Sequence, residues 1–514
     1  MLLEATPPLQ QTAPRRRDQN SQLLSKPMND FELIDGPGET KVGLKLVAEK
    51  EKLAFGAEHT QNAMATIKVV KAEADERAPM QLSVVIDRSG SMERDAKLVT
   101  VKKTMDFFVD KGLQKEDTFS IVAYGSRVET MLKPTLMDPD GRKKAKEAIA
   151  SIELEGMTNL SGGLLAGIEH ITSQARTPGI TRAILLCTDG LANEGIEDAK
   201  GIVDAAKGAM ADQQMKIHTF AFGANHNAKM LQTIAEANDG AYFFVENTEA
   251  IPGAFGAALG SLSSTVAQNA KLTLSYDADV ASVKVLSSYK KEVDTKAKTV
   301  TLSMGDLLSE DSKDIVFEVT LVKKAWVDEE PRDVLSATLH FFDVEAKKFR
   351  TAAGTLKVSR PETTPEHKIN VELEANVQRI QLSEAMRQAS ERAERGQIAD
   401  GRQLLEAAMA TAQNSASAEE PILRAMFKDV GANLEHFTDQ ARYNACAAAP
   451  MRALSGGYSQ QQATLGGAAE LYENATGAVY RNLAAAEVLG VRARDGEEER
   501  GLRAPALKRQ AASP

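Results

Sequence analysis

Apolar and polar residues change rhythm three times along this chain. From Lys41 to Ala72 they alternate at period two, first at Val42, Leu44 and Leu46 and then at Ala65, Ile67 and Val69. Alternation of this kind puts one face of an extended chain in a core and the other in water, so the spacing predicts strands of an antiparallel sheet. Between residues 80 and 268 short apolar runs alternate with longer segments of helical spacing. The predicted strands are Leu82–Ile86, Thr118–Tyr124, Ala183–Thr188, Lys216–Phe222 and Ala241–Val245. The predicted helices are Asp95–Lys111, Gly141–Ile152, Leu160–Gln174, Glu197–Gln213, Ala228–Asn238 and Ile251–Ala267. Runs such as Ile184-Leu185-Leu186-Cys187 are apolar on both faces, as a parallel sheet covered by helices on each side requires. The fold class read here is α/β, a doubly wound and mostly parallel sheet.

Period two returns from Lys271 to Val358, in runs such as Ile315-Phe317-Val319-Leu321 and Leu335-Ala337-Leu339-Phe341. Turn residues separate the runs, which predicts an antiparallel β-sandwich. The strands before residue 72 have no core of their own, so they are expected to complete this sandwich, with the α/β unit inserted between its strands. After Pro361 and Pro365 the spacing becomes helical, at Asn370–Glu394, Asp400–Ala412, Pro421–Gln440, Gln462–Glu473 and Ala478–Leu489. The first two form a helical hairpin of tetratricopeptide-like rhythm, a single pair where an array needs about three. The expected organisation is a disordered N-terminus (1–38), strands that complete the sandwich (39–79, with an acidic linker over 72–79), the α/β domain (80–268), the sandwich (269–360), a C-terminal α-helical region (361–490) and a disordered tail (491–514).

Composition narrows the class of function. The 514 residues are 43% hydrophobic and 26% charged, as in globular domains, and the net charge of -10 disfavours a nucleic-acid surface. Two distant cysteines, Cys187 and Cys446, exclude a disulfide framework or a four-cysteine zinc module and fit a reducing compartment. No apolar run is long enough to span a bilayer, and the first 26 residues lack the apolar region of a secretory signal. The expectation is a cytoplasmic protein. Arg15-Arg16-Arg17 in a segment with few acids leaves organelle targeting open.

The candidate chemistry lies where strands of the α/β domain end, since open parallel sheets bind ligands at those ends. The first strand runs into Asp87-Arg88-Ser89-Gly90-Ser91. A later one runs into Thr188-Asp189-Gly190. Between them Gly156-Met157-Thr158-Asn159-Leu160-Ser161 is a loop that starts a helix. The set offers hydroxyls and carboxylates, with no thiolate or imidazole. Oxygen donors alone select hard divalent cations: Mg²⁺, Mn²⁺ or Ca²⁺. With at most two charged ligands, Asp87 and Asp189, such an ion stays electrophilic and keeps room for a carboxylate from another molecule.

Asp87-x-Ser89-x-Ser91, the distant Thr158, and Thr188-Asp189-Gly190 resemble the metal-ion-dependent adhesion site of von Willebrand factor type A domains, over residues 80–268. The resemblance implies a six-stranded sheet, direct binding of Mg²⁺ by Ser89, Ser91 and Thr158, partly water-mediated binding by Asp87 and Asp189, and an acidic partner residue completing the coordination. The wider layout, with Asn193, Gly195, Phe222-Gly223 and Gly305-Asp306-Leu307 ahead of a helical tail, is similar to the plant, algal and bacterial proteins related to RING-type ubiquitin ligases that carry this domain. The RING cysteines are absent, so ligase activity does not carry over. Met157 stands where that family commonly has Gly or Ser.

Competing readings of these residues are plain ones. Asp87 could cap the helix that follows. Cys187 sits in an apolar strand and reads as core. His170 and His226 have no second His or Cys at ligand spacing, and HExxH, GxxxxGK[ST] and GxSxG are absent, which disfavours a zinc protease, a magnesium-chelatase-type ATPase and a serine hydrolase. The sequon Asn159-Leu160-Ser161 lies in the metal loop and reads as coincidence. The expected function is a non-enzymatic, metal-dependent protein-binding adaptor whose partner offers an exposed Asp or Glu. The C-terminal helices offer a second binding surface or a self-association contact. Alternatives are the substrate-recognition subunit of a ubiquitin-ligase-type complex, and a secreted or surface adhesion protein.

Overall fold

The computed structural model describes residues 32–33, 42–70, 77–211, 213–464 and 466–490. The expected disorder of 1–38 and 491–514 lies outside the described residues, apart from Glu32–Leu33. Sixteen strands are described. β1 (Glu32–Leu33), β2 (Val42–Ala48) and β3 (His59–Val69) come first. The central six are β4 (Met80–Asp87), β5 (Thr118–Tyr124), β6 (Val128–Leu136), β7 (Thr181–Thr188), β8 (Lys216–Phe222) and β9 (Tyr242–Val245). The last seven are β10 (Thr265–Tyr276), β11 (Val280–Val285), β12 (Lys290–Asp294), β13 (Thr299–Leu308), β14 (Ser312–Leu321), β15 (Asp328–Asp343) and β16 (Lys348–Arg360).

The central sheet has the order β6-β5-β4-β7-β8-β9, parallel except for β6. β4 is buried along its whole length, and its side chains divide by parity. Leu82, Val84 and Ile86 enter one core with α1 (Lys97–Phe107), α2 (Pro139–Ala150) and the later helix 251–263. Val85 enters the other with α3 (Leu160–Thr172), α4 (Ala199–Met210) and α5 (Ala228–Glu236). A run apolar on both faces thus fills two cores at once, which is why β4 sits in the middle.

The apolar spacing does not mark β6. Only Leu132 of its side chains is buried, and Pro134 interrupts it, as an antiparallel edge strand allows and a central one does not. α6 (Ile251–Ser263) is shorter than the predicted Ile251–Ala267. The β-branched pair Thr265-Val266 opens β10, so the chain passes from helix to sandwich across Ser264 alone.

The sandwich pairs one sheet, β1-β2-β3-β14-β11, with another, β12-β13-β10-β15-β16. Ala65 opposes Ile315 and Ile67 opposes Lys313, so β3 is a partner of β14 across nearly 250 residues of intervening chain. The α/β unit is inserted between β3 and β10. One core joins Leu44, Ile67, Leu272, Phe317, Leu339 and Leu356 from both sheets.

The tail comprises α7 (Val371–Glu394), α8 (Ile398–Gln413), α9 (Pro421–Leu434), α10 (Ala448–Gln460), α11 (Gly466–Tyr472) and α12 (Ala475–Leu489), with one α-helical turn (Gln440–Arg442) and a π-helical stretch (Tyr443–Ala447) leading directly into α10. The apolar spacing does not predict α10, because Pro450 and Gly456-Gly457 interrupt it. Met451, Leu454 and Tyr458 nonetheless pack into the tail core, and Gly457 lets α10 approach Thr464 and Ala468. Arg379, fully buried on α7, donates to Asp314 O at 3.0 Å, Tyr458 O at 2.7 Å and Asn376 Oδ1 at 2.9 Å. It joins α7 to β14 and α10. α12 returns to the α/β domain and lies against α6. A Cβ on Gly256 would meet Tyr480 O at 2.6 Å, and one on Gly260 would meet Gly477 Cα at 2.5 Å, so this crossing needs the bare backbone of Gly256 and Gly260.

Candidate metal centre

The central strand order reverses at β4: the chain proceeds outward through β5 and β6, then returns to place β7 on the other side. The carboxyl ends of β4 and β7 therefore bound the crevice where such sheets take ligands. Asp87 ends β4, and Thr188 ends β7 with Asp189 immediately after.

Asp87 is fully buried. Its Oδ1 accepts the Ser89 N–H at 2.8 Å and its Oδ2 accepts the Thr188 hydroxyl at 2.8 Å. The capping alternative fails here, since α1 begins at Lys97 and Asp87 bonds within its own turn and across to β7. The turn is fixed from the other side by the third segment. Arg88 N–H donates to Tyr124 O at 2.8 Å, its guanidinium pairs with Glu155 at 2.8 Å, and Glu155 N–H donates back to Arg88 O at 2.7 Å. Gly156 follows with φ +63°, a left-handed turn that glycine adopts without strain. Asn159 then caps α3, its Oδ1 accepting Gly162 N–H at 2.9 Å, which gives the sequon asparagine a structural role.

These constraints bring the five predicted residues together. Ser89 Oγ and Ser91 Oγ lie 3.1 Å apart, and Ser91 Oγ donates to Asp189 Oδ1 at 2.5 Å. Gly190 faces both Ser91 and Thr158, for a Cβ there would stand 3.7 Å from Ser91 Oγ and 3.8 Å from Thr158 Oγ1. Thr158 is held by Asn193, whose Oδ1 accepts its N–H at 2.8 Å and whose own N–H donates to Thr158 O at 3.2 Å. Asp87, Ser89, Thr158 and Asp189 are buried and Ser91 is half-buried.

Two contacts of the site, those of Lys97 and of Asn193 with Thr158, are not legible in the residue pattern. Lys97 Nζ donates to Asp189 Oδ2 at 2.7 Å. The predicted helix start at Asp95 is two residues early: a 3-10 turn over Gly90–Ala96 ends with Asp95 and Ala96 both at φ 54°, and that left-handed pair precedes α1, whose first residue is Lys97. Asn193 is the second. Neither carries a periodic signal, because both act through loop geometry.

Burial also sets the charge state. Desolvation pushes the Asp87 carboxyl up to about 6 against the hydrogen bonds from Ser89 and Thr188, with the charge of Asp189 adding to the rise. Two carboxylates and three hydroxyls in a buried cluster hold negative charge that a divalent cation would offset, and oxygen donors of this kind suit a hard ion, so the residues fit one. Among the described residues no three His, Cys, Asp or Glu group as a metal site. In this donor set three of five are hydroxyls. His170 and His226 are engaged elsewhere. His170 Nε2 lies 3.0 Å from Thr130 Oγ1 and His226 Nε2 2.6 Å from Tyr242 OH. Cys187 is buried in the core beneath, where desolvation raises its thiol.

The family model of the von Willebrand factor type A domain matches residues 82–257. This part of the chain is a von Willebrand factor type A domain. Such domains commonly mediate metal-dependent protein–protein interaction and typically bind a divalent ion at the adhesion site. Similarity continues beyond the domain. The Synechocystis protein sll0103 is 27% identical over 290 residues, 55% of this chain and 67% of that protein. Escherichia coli YfbK is 28% identical over 262 residues, 50% of this chain and 44% of that one, so the chain spans less than half of YfbK. A von Willebrand factor type A structure from Catenulispora acidiphila superposes with TM-score 0.60 at 17% identity, covering 77% of this chain and 92% of that chain. At that identity the likeness is one of fold, and it extends well past the domain into its flanking parts.

Proposed function

We propose that the chain is a metal-dependent protein-binding adaptor in which Mg²⁺, bound by Ser89, Ser91 and Thr158 with Asp87 and Asp189 behind them, accepts an acidic side chain of a partner protein. The observation that carries this reading is the convergence of Ser91 Oγ on Ser89 Oγ and Asp189 Oδ1 at the crevice between β4 and β7. The ion would act as a Lewis acid toward a carboxylate oxygen. The protein's part is to fix the donors, through Thr188 on Asp87 and Asn193 on Thr158.

Access supports the reading as well. A cleft of about 310 Å³ opens beside Ser91 and Asp189, lined by Phe222, Ile251, Asn225 and Asn247 together with the charged Arg94, Lys97, Asp95 and Glu246. We read the site as one of binding rather than catalysis, since its donors include no thiol and no imidazole. No helix among the described residues is long and apolar enough to cross a membrane. A cytoplasmic setting fits the two unpaired cysteines. No observation favours the ubiquitin-ligase or surface-adhesion alternatives.

The test is recovery of partners from cell extract with Mg²⁺ or with chelator, comparing wild type with Asp87→Ala and Ser89→Ala. Chelation and each substitution are expected to remove the same set of proteins. An identical set under every condition overturns the metal bridge.

A further inference from the structure

At the end of the central sheet away from the metal donors, the α/β domain and the sandwich enclose a cavity of about 150 Å³. Arg182, near the start of β7, lines it; at about 3.3 Å per residue it stands about 23 Å from Asp189 at the other end of that strand. Arg182 is only 8% exposed, yet its guanidinium donates to neutral acceptors alone, Gln213 Oε1 at 2.6 Å, Ala175 O at 2.8 Å and Gln174 O at 3.4 Å. Arg176 lines the same cavity and makes no hydrogen bond or ion pair among the described residues. Burial first, and the charge of Arg176 second, hold the Arg182 guanidinium below its ordinary pKa, as a buried cation without a counter-ion must be. The two acids of the wall are already taken, for Asp306 pairs with Lys216 at 3.2 Å and Asp239 with Lys290 at 3.3 Å. Buried charges are normally paired, so neighbouring arginines with no carboxylate between them mark a place for an anion.

The opposite wall is aromatic. Phe349 is 78% exposed, more than any other large apolar side chain among the described residues, and it meets the buried Phe342 edge-on with ring centres 5.3 Å apart. The segment between the two arginines is seated on this pair. A Cβ on Gly179, whose φ is +86°, would stand 3.4 Å from the Phe342 ring, and Gly179 N–H donates to Gln268 Oε1 of β10 at 3.1 Å. The charged wall comes from the α/β domain and the aromatic wall from the sandwich, and these contacts fix one against the other.

We propose that this cavity binds a small aromatic anion, with its carboxylate or phosphate group on Arg176 and Arg182 and its ring against Phe342 and Phe349. The planar guanidinium fork matches the oxygens of either group. A cavity of this volume takes one benzene-sized ring and falls short of the space a drug-sized ligand needs, so the ligand is a single-ring compound. Covering Phe349 removes its apolar area from water and adds a ring-to-ring contact. Because its two walls belong to different domains, the bound anion would tie the α/β domain to the sandwich.

The test is calorimetry on the full chain in EDTA, which keeps capture of a carboxylate by a divalent ion out of the reading. The probes are benzoate, phenyl phosphate, neutral benzamide and inorganic phosphate. At least one of the two aromatic anions is expected to bind with a Kd of about 1 mM or tighter, and about tenfold tighter than benzamide or inorganic phosphate. The tighter of the two names the head group, and either supports the site. Arg176→Gln and Phe349→Ser, both at exposed side chains, should each weaken that binding about tenfold. Arg182 is left in place, because its removal would also undo the bonds to Gln213 and Ala175. Failure of both aromatic anions to bind overturns the proposal, as does equal binding of benzamide or of inorganic phosphate. Binding that neither Arg176→Gln nor Phe349→Ser alters lies elsewhere on the chain and overturns it too.

Discussion

The Thr188 hydroxyl donates to Asp87 Oδ2 at 2.8 Å, so the last residue of β7 holds the carboxylate that ends β4. Two neighbouring strands thereby fix one buried acid, whose other oxygen accepts Ser89 N–H. Replacing Thr188 with valine keeps the shape and removes the donor. Thr188→Val is expected to lose about 2 kcal/mol of stability and to weaken Mg²⁺ about tenfold, by thermal unfolding and calorimetry, whereas Thr188→Ser retains both. A Thr188→Val chain that binds Mg²⁺ like wild type would separate Asp87 from the metal.

Lys97 places an ammonium on Asp189 Oδ2, where a divalent ion would compete with it. Lys97→Met should therefore bind Mg²⁺ about fivefold tighter, because a repelling charge leaves the site. The metal-free variant should at the same time lose about 1–3 kcal/mol, because Asp189 stays buried without its cation. Weaker Mg²⁺ binding in calorimetry would mean that Lys97 assists the metal.

Acid should destabilise the chain through the buried His218 and the half-buried His226. Burial lowers His226 to about 4 and His218 to about 3, each from an ordinary 6.5. The unfolded chain then binds more protons below pH 6.5. Stability is full above that pH and falls as the pH drops toward 4, by about 3 kcal/mol for each ring. His218 Nδ1 accepts Ala241 N–H at 3.1 Å, so its neutral form is the one that fits. Urea unfolding between pH 7 and 4.5 should be less steeply pH-dependent in His218→Gln; an unchanged slope contradicts the assignment.

The crossing of α12 on α6 depends on glycine. Gly260→Val would drive a side chain into Gly477, where even a Cβ stands 2.5 Å from Cα. The variant is expected to lose about 1–3 kcal/mol and to release α12, which limited proteolysis would detect as early cleavage after residue 474. Resistance equal to wild type would show that the two helices can part and repack.

Much of this molecule follows from residue order. A run apolar on both faces, such as Ile184–Cys187, fits a central strand of a covered sheet, and the alternation at 65–69 fits a half-buried strand, and both form those strands here. The convergence of Asp87, Ser89, Ser91, Thr158 and Asp189 was also legible, because the first three share one turn and the others follow strand and loop signals. Features without a local period stayed hidden. β6 is an edge strand whose side chains are nearly all in water or half-buried, and α10 is a helix interrupted by glycine and proline that tail packing holds in place. Sequence pattern reports how a segment partitions between water and core. It does not report which loop meets which. Tertiary structure alone aims Lys97 at Asp189, ties Asn193 to Thr158, and sets Arg379 between sandwich and tail. Each of these contacts joins residues far apart in the chain through turns whose direction is set by a few backbone dihedral angles, and hydrophobic spacing carries no record of those angles.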